Sequence, residues 1–247
     1  LADELYAREK KVFPTKAGEL YRTACADGNA HACARAGEFE TIGKTWDRVR
    51  EFSEKGCTLD DGDACARLGF AELEGNGGPK NEARALTLMK KACSLSALRG
   101  CRAAAGILLD ATPADPTAAI PLGEKLCTAK FEDGCFILGM ALFDSKKDYP
   151  RALAQVDAAC NDENHEKRGF ACNIAGAITF DGLGMKKDPA RGMAYLEKAC
   201  EAGFAEGCAN AATMYKRGSG VPRNPAKAAE LSAKACALGK KEQCSAK

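Results

Sequence analysis

Three things are scarce in this 247-residue chain: aromatic rings at 6 %, histidine at two residues, and net charge, which is +2 from 36 Lys and Arg against 34 Asp and Glu. Near-neutral charge argues against a surface built to grip nucleic acid or anionic lipid, because both need concentrated basic charge. No run of about 18 apolar residues occurs, so no segment reads as a helix crossing a bilayer. The chain also begins at Leu1 rather than Met and is read as a processed or trimmed product, any export signal lying in the removed part. What remains is an Ala-rich composition, 46 % hydrophobic, holding 14 cysteines.

The cysteines carry the organisation. They stand as Cys25 and Cys33, Cys57 and Cys65, Cys93 and Cys101, Cys127 and Cys135, Cys160 and Cys172, Cys200 and Cys208, and Cys236 and Cys244. Six pairs are eight positions apart and one is twelve; first members recur every 32, 36, 34, 33, 40 and 36 residues. A period in the mid-thirties with a fixed internal spacing is a repeat array. Most segments inside the pairs, such as ADGNAHA, TLDDGDA and EAGFAEG, hold Gly or Asp, residues of helix ends and turns. Between pairs run Ala-rich amphipathic stretches of about 10 to 14 residues, the length of ordinary helices. CARLGFAELEG leads through NGGPKN to EARALTLMKKAC, and CANAATMYKRG leads through SGVPRN to PAKAAELSAKAC. In RNPAKA and KDPARG, proline suits the first helical turn, where its missing N–H costs nothing. Each unit therefore reads as helix A, a Gly/Pro loop, helix B and a tight turn carrying the cysteines.

Eight residues along one straight helix span about 12 Å, whereas a disulfide needs Cα atoms within about 7 Å. The pairs close only if the chain reverses between them, where the turn residues sit. Each bridge then ties the end of a helix B to the start of the next helix A. Closing a loop of about nine residues contributes about 2.5 kcal/mol in the chain-entropy model. The rival reading is metal ligation, but zinc sites use short C-x₂₋₄-C spacings and no C-x-x-C occurs. His31 and His165 read as solvent-exposed turn residues. Persistent disulfides imply an oxidising compartment: periplasmic, secreted or an equivalent lumen.

YKRGSGVPRNPAKAAELSAKACALG resembles the Sel1-like repeat in its G-x-G-V-P loop, the Ala pair that follows and the K-A-C ending. FDGLGMKKDPARGMAYLEKACEAG and LEGNGGPKNEARALTLMKKACSL match it less fully. The paired cysteines narrow the resemblance to the disulfide-bridged branch that includes the Helicobacter cysteine-rich proteins; a mitochondrial cysteine-rich Sel1 protein of cytochrome oxidase assembly is a weaker likeness. The similarity runs from about Lys16 to Cys244 and implies an all-α, right-handed superhelical solenoid of αα-hairpin repeats stapled by disulfides. Expected organisation is a single solenoid domain over 1–247: a capping helix pair over 1–28, with a leading helix in 1–13, about six repeats over 29–240, and a tail over 241–247. Gly43, Gly75, Gly182 and Gly218, each ten residues after a Cys, mark the ends of four A helices. The third and fourth units replace this glycine with DATPADPT and DSKKDYP.

Strings that imitate active sites fail on context. Gly43-Lys44-Thr45 lacks the earlier glycine of a phosphate loop, Glu38 standing there, and no strand precedes it. The resemblance brings penicillin binding and weak β-lactam hydrolysis into view, yet no Ser is followed by the S-x-x-K pattern and no G-x-S-x-G elbow exists. No cofactor or metal site is assigned, and the chain is not read as an enzyme. The candidate site is a binding groove lined by A helices. Arg35, Arg67, Arg102, Asn173 and Asn210 follow the second cysteines and offer guanidinium and amide groups to a carboxylate; the alternative is an ordinary solvated helix face. Phe136, in CFILGMALFD, reads either as an exposed anchor or as packing between repeats. The expected function is a monomeric interaction scaffold, periplasmic or secreted, with or without a lipid anchor, engaging a protein, a peptide or a peptidoglycan-derived ligand. The alternatives are a weak β-lactam hydrolase and a redox or cofactor assembly factor.

Overall fold

A computed structural model describes residues 15–244; the expected leading helix in 1–13 lies outside the described residues. These residues form thirteen α-helices and one short 3₁₀ turn, with no strand among them. In chain order the helices are α1 (Thr15–Ala26), α2 (Ala30–Ile42), α3 (Trp46–Thr58), α4 (Gly62–Glu74), α5 (Glu82–Ser94), α6 (Leu98–Asp110), α7 (Pro116–Thr128), α8 (Gly134–Ser145), α9 (Tyr149–Asn161), α10 (Arg168–Asp181), α11 (Pro189–Glu201), α12 (Ala205–Arg217) and α13 (Pro225–Ala237), before the 3₁₀ turn Lys241–Gln243. The chain divides into two compact units, one ending at Thr112 and the other beginning at Pro113. The division falls inside DATPADPT, the segment that lacks the loop glycine. Within the units, A and B helices pack as hairpins in α2/α3, α4/α5, α8/α9, α10/α11 and α12/α13.

The boundaries have local causes. Five B helices begin after an Asn or Asp whose side chain accepts a backbone N–H three residues on: Asn81 from Arg84, Asp115 from Ala118, Asp148 from Arg151, Asp188 from Arg191 and Asn224 from Lys227. Proline occupies the first turn of α7, α9, α11 and α13, as the missing donor allows. The expected glycines end four A helices, and Gly75, Gly182 and Gly218 take left-handed φ values of 76°, 68° and 73°. Gly43 differs: its φ is −76°, and Lys44 makes the left-handed turn instead at 54°. The shorter loop shifts the reversal by one residue.

All fourteen cysteines are bridged in the expected neighbour pairs, with Cα–Cα distances of 4.3 to 4.9 Å. The reversal that permits this is a Schellman-type turn. In the six short pairs, the residue three after the first cysteine is left-handed: Gly28, Asp60, Ser96, Lys130, Gly203 and Gly239. The next residue returns its N–H to the carbonyl before that cysteine, as Asn29 does to Ala24 and Phe204 to Ala199. Helix backbones then approach closely. A Cβ on Gly207 would lie 2.5 Å from the Cβ of Ala199, so the turn admits only glycine there without movement.

The cores are Ala-rich with a few large anchors. Tyr21 and Phe52 pack on Cys25 and Cys33 in the first unit. Phe136, Leu153, Val156, Ile174 and Ile178 gather around Cys160 and Cys172 in the second. Phe136 is 4 % exposed, so it is a packing residue and not an exposed anchor. Its ring meets His165 at 5.6 Å and Phe170 at 5.9 Å, and Phe170 stacks on Phe204 at 5.4 Å. His165 is thus half-buried, not a solvated turn residue, because the four extra residues between Cys160 and Cys172 fold it back onto Phe136. His31 is exposed but lies in the first turn of α2.

Two carboxylates sit deep in the first unit. Glu40 and Glu72, each seven residues after a second cysteine, are 7 % and 2 % exposed. Arg22 reaches Glu40 at 3.1 Å and Arg48 at 3.6 Å, while the Thr45 hydroxyl donates to it at 2.5 Å. Arg50 and Arg84 hold Glu72 at 2.7 and 3.0 Å, and Arg50 also donates to the carbonyls of Asn76 and Ala71 at the end of α4. Burying a carboxylate without such pairing is costly, and these arginines come from the flanking B-type helices.

A charged groove on the first unit

The A helices α2, α4 and α6 and the start of α3 line a groove of about 560 Å³ in the first unit. Arg35, Arg67 and Arg99 come from successive A helices, and Glu38, Asp63, Trp46 and Phe70 line the same groove. Arg35 donates to Glu38 at 2.5 Å and lies 5.7 Å from the Tyr21 ring centroid. Glu38 is engaged by Arg35, and Arg67 stands 3.9 Å from the same carboxylate oxygen. Burial pushes the Arg67 guanidinium below its ordinary value; Glu38 and Asp63 oppose this, while Arg35 and Arg99 add to it. The Arg67 Nε is buried without a hydrogen-bond partner. Phe70 leaves 38 % of its surface exposed.

Of the residues singled out in the sequence, Arg35 and Arg67 meet in this groove. Arg102 is exposed on α6, and it is Arg99, three residues earlier, that lines the groove. Asn173 and Asn210 lie in the second unit, where the Asn210 amide donates to Asn173 at 3.0 Å and links α10 with α12. Sequence reasoning passed over Arg99, Trp46 and Phe70. Phe70 was open to discovery, since it stands three residues after Arg67 and so shares its helix face; Trp46 and Arg99 gave no such signal. Among the described residues, no group of three His, Cys, Asp or Glu side chains is placed to hold a metal ion. No described helix is long and apolar enough to cross a membrane.

Fold and sulfur pairing together define a helical-repeat solenoid whose hairpins are stapled by disulfides. The Sel1 repeat family model matches residues 62–96, 169–204 and 205–240. Each match starts in the first turn of an A helix and ends in the turn after its B helix, so the three matched segments follow the register that the cysteines mark.

Cytochrome c oxidase assembly factor 7 of Xenopus tropicalis is 28 % identical over 227 residues, covering 88 % of this chain and 84 % of that protein. Its Danio rerio namesake is 36 % identical over 75 residues, which are 30 % of this chain and only 32 % of that protein. Among solved structures, a protective antigen of uropathogenic Escherichia coli with an SLR fold is similar at a TM-score of 0.70 and 18 % identity. That alignment covers 92 % of this chain and spans half of the antigen's length.

Proposed function

We propose that the protein is a non-catalytic scaffold of an oxidising, extracytoplasmic compartment, periplasmic or secreted, and that the first unit's groove receives an extended, carboxylate-bearing peptide segment. The observation that carries this reading is Arg67: desolvated, flanked by Arg35 and Arg99, and incompletely satisfied by Glu38. An incoming carboxylate adds to Glu38 and Asp63 as an acceptor for the partly exposed guanidinium of Arg67, and a guanidinium meets a carboxylate through two parallel hydrogen bonds. Trp46 and Phe70, which line the same groove, offer an apolar seat for a neighbouring side chain. Sel1 repeats support an interaction role, and seven bridges support the compartment. A cell-envelope fragment bearing carboxylates, such as a peptidoglycan-derived peptide, fits the same chemistry.

The test uses the intact protein on an array of short unstructured peptides varying in acidic and aromatic content. Acidic peptides with an adjacent aromatic residue bind best, and Arg67→Gln combined with Arg99→Gln weakens them at least about tenfold, a loss of about 1.4 kcal/mol. Arg102→Gln leaves binding unchanged. An array pattern insensitive to the double variant, with an unaltered melt, overturns the reading. A second reading, service as an assembly factor, is favoured by the frog relative, which this chain matches over 84 % of that protein's length. It predicts capture of a folded client that survives the same double substitution.

A further inference from the structure

The seven bridges are not equally protected. In five of them both cysteines are at most 5 % exposed: Cys25–Cys33, Cys57–Cys65, Cys93–Cys101, Cys160–Cys172 and Cys200–Cys208. Cys127 and Cys135 are both only half-buried, and in the last bridge Cys236 is half-buried and Cys244 exposed. The turn inside Cys127–Cys135 is also the least comfortable. The other short bridges enclose one left-handed residue each, three of them glycine. This one encloses two, Lys130 at φ 52° and Glu132 at φ 33°, neither of them glycine. A side chain in that region opposes closure. The Cys127 Sγ also lies 3.4 Å from the side-chain oxygen of Gln155 on α9. A bridged sulfur has no proton to donate, so this contact becomes a hydrogen bond only after the bridge opens.

We propose that Cys127–Cys135 is a thiol–disulfide exchange site, taking a thiol reductant or a protein dithiol as its reaction partner. The partner thiolate attacks Cys135 Sγ and forms a mixed disulfide; the Cys127–Cys135 bond breaks and its electron pair leaves on Cys127, which takes a proton from solvent and, as a thiol, donates a hydrogen bond to Gln155 Oε1. A second partner thiolate then attacks the partner sulfur of the mixed disulfide and frees Cys135. Two partner thiols are thereby oxidised to one disulfide as the bridge gains two electrons and two protons. Reach and leaving geometry favour this bridge over the buried five, since exchange needs in-line access to a sulfur.

Opening it does not release the hairpin. A Cβ on Gly134 would lie 2.6 Å from the Leu126 backbone, and one on Gly123 would lie 2.8 Å from the Leu138 Cα, so α7 and α8 stay fastened by backbone-close packing. The reduced form is a folded dithiol, which distinguishes a switch from a break.

Graded reduction of the intact protein with glutathione, trapped by alkylation and mapped by peptide mass spectrometry, tests the assignment. Cys127 and Cys135 become labelled at reductant levels at least about tenfold below those needed for Cys57–Cys65, Cys160–Cys172 and Cys200–Cys208, with Cys236–Cys244 also early. Labelling of Cys127 and Cys135 together with, or after, the buried pairs overturns the proposal. Gln155→Leu shifts the half-reduction point toward the bridged form by about three- to tenfold, the equivalent of one hydrogen bond; an unmoved midpoint removes Gln155 from the site. The Cys127→Ser, Cys135→Ser double variant keeps its helical signal and melts above the corresponding Cys160, Cys172 variant. Its failure to fold overturns the switch.

Discussion

Two glycines of α6, six residues apart, offer a sharp test of the packing. A Cβ placed on Gly100 would stand 2.5 Å from the Cβ of Ala92 and 2.9 Å from the Met89 carbonyl oxygen, both on the neighbouring α5. Real Cβ atoms do not tolerate such approaches, so α5 and α6 must part by several tenths of an ångström. Overpacking of this kind costs about 1–3 kcal/mol. A Cβ placed on Gly106, on the same helix, would meet nothing within 4 Å. Alanine there gains helix propensity and removes freedom from the unfolded chain, a stabilisation of about 1 kcal/mol. For a protein of this length 1 kcal/mol moves the melting temperature by about 2–4 °C. Circular-dichroism melts with all bridges intact should therefore show Gly106→Ala rising by a few degrees and Gly100→Ala falling. The same sign for both would refute the claim that backbone approach at the cysteine turns, and not glycine's flexibility, explains Gly100.

The buried carboxylate Glu72 predicts an asymmetric response. Glu72→Gln leaves Arg50 without its charge partner and costs about 3 kcal/mol in urea titration, whereas Glu72→Leu with Arg50→Met costs much less than the two single changes summed; additive losses would show that the pair is not coupled. A pH effect is expected in the second unit. Partial burial pushes the Glu197 carboxyl up, but the Lys227 ammonium at 2.9 Å and the Tyr215 hydroxyl at 2.7 Å outweigh it and hold the carboxyl below its usual value. Its contribution is therefore complete above the ordinary Glu range near about pH 4.3 and is lost as pH falls through the depressed folded value. Glu197→Gln should cost about 0.5 kcal/mol at pH 7, as half-exposed pairs do, and the difference from the parent should vanish in strong acid; a gap that persists there contradicts the assignment.

Much of the fold was legible because its signals are short-range. Eight-residue cysteine spacing demands a reversal, and the reversal demands a left-handed residue three positions on; Gly28, Gly203 and Gly239 advertise it. Asp60, Ser96 and Lys130 fill the same position without the usual signature, so the spacing was the better guide than residue type. Helix starts at Asn81, Asp188 and Asn224 were readable for the same reason: the cap oxygen and the backbone N–H that donates to it lie within four residues.

The candidate site was only half legible. Arg35 and Arg67 stand at the same offset from their cysteines, so repeat arithmetic brought them together, whereas Arg99 precedes its cysteine and breaks that rule. Glu40 and Glu72 share an offset too, but their burial depends on arginines about 8 to 22 residues away on neighbouring helices. His165 likewise reads as a solvent-exposed turn residue until the longer Cys160–Cys172 segment folds it onto Phe136.

By itself, then, the sequence determined the helical repeat, its register and the partner of every cysteine, because each follows from interactions among residues near one another along the chain. Tertiary structure alone decided which charges are buried, which arginines share a groove and which bridges solvent can reach. Those properties depend on how successive helices stack, and a local pattern carries no record of the surface that a distant helix covers.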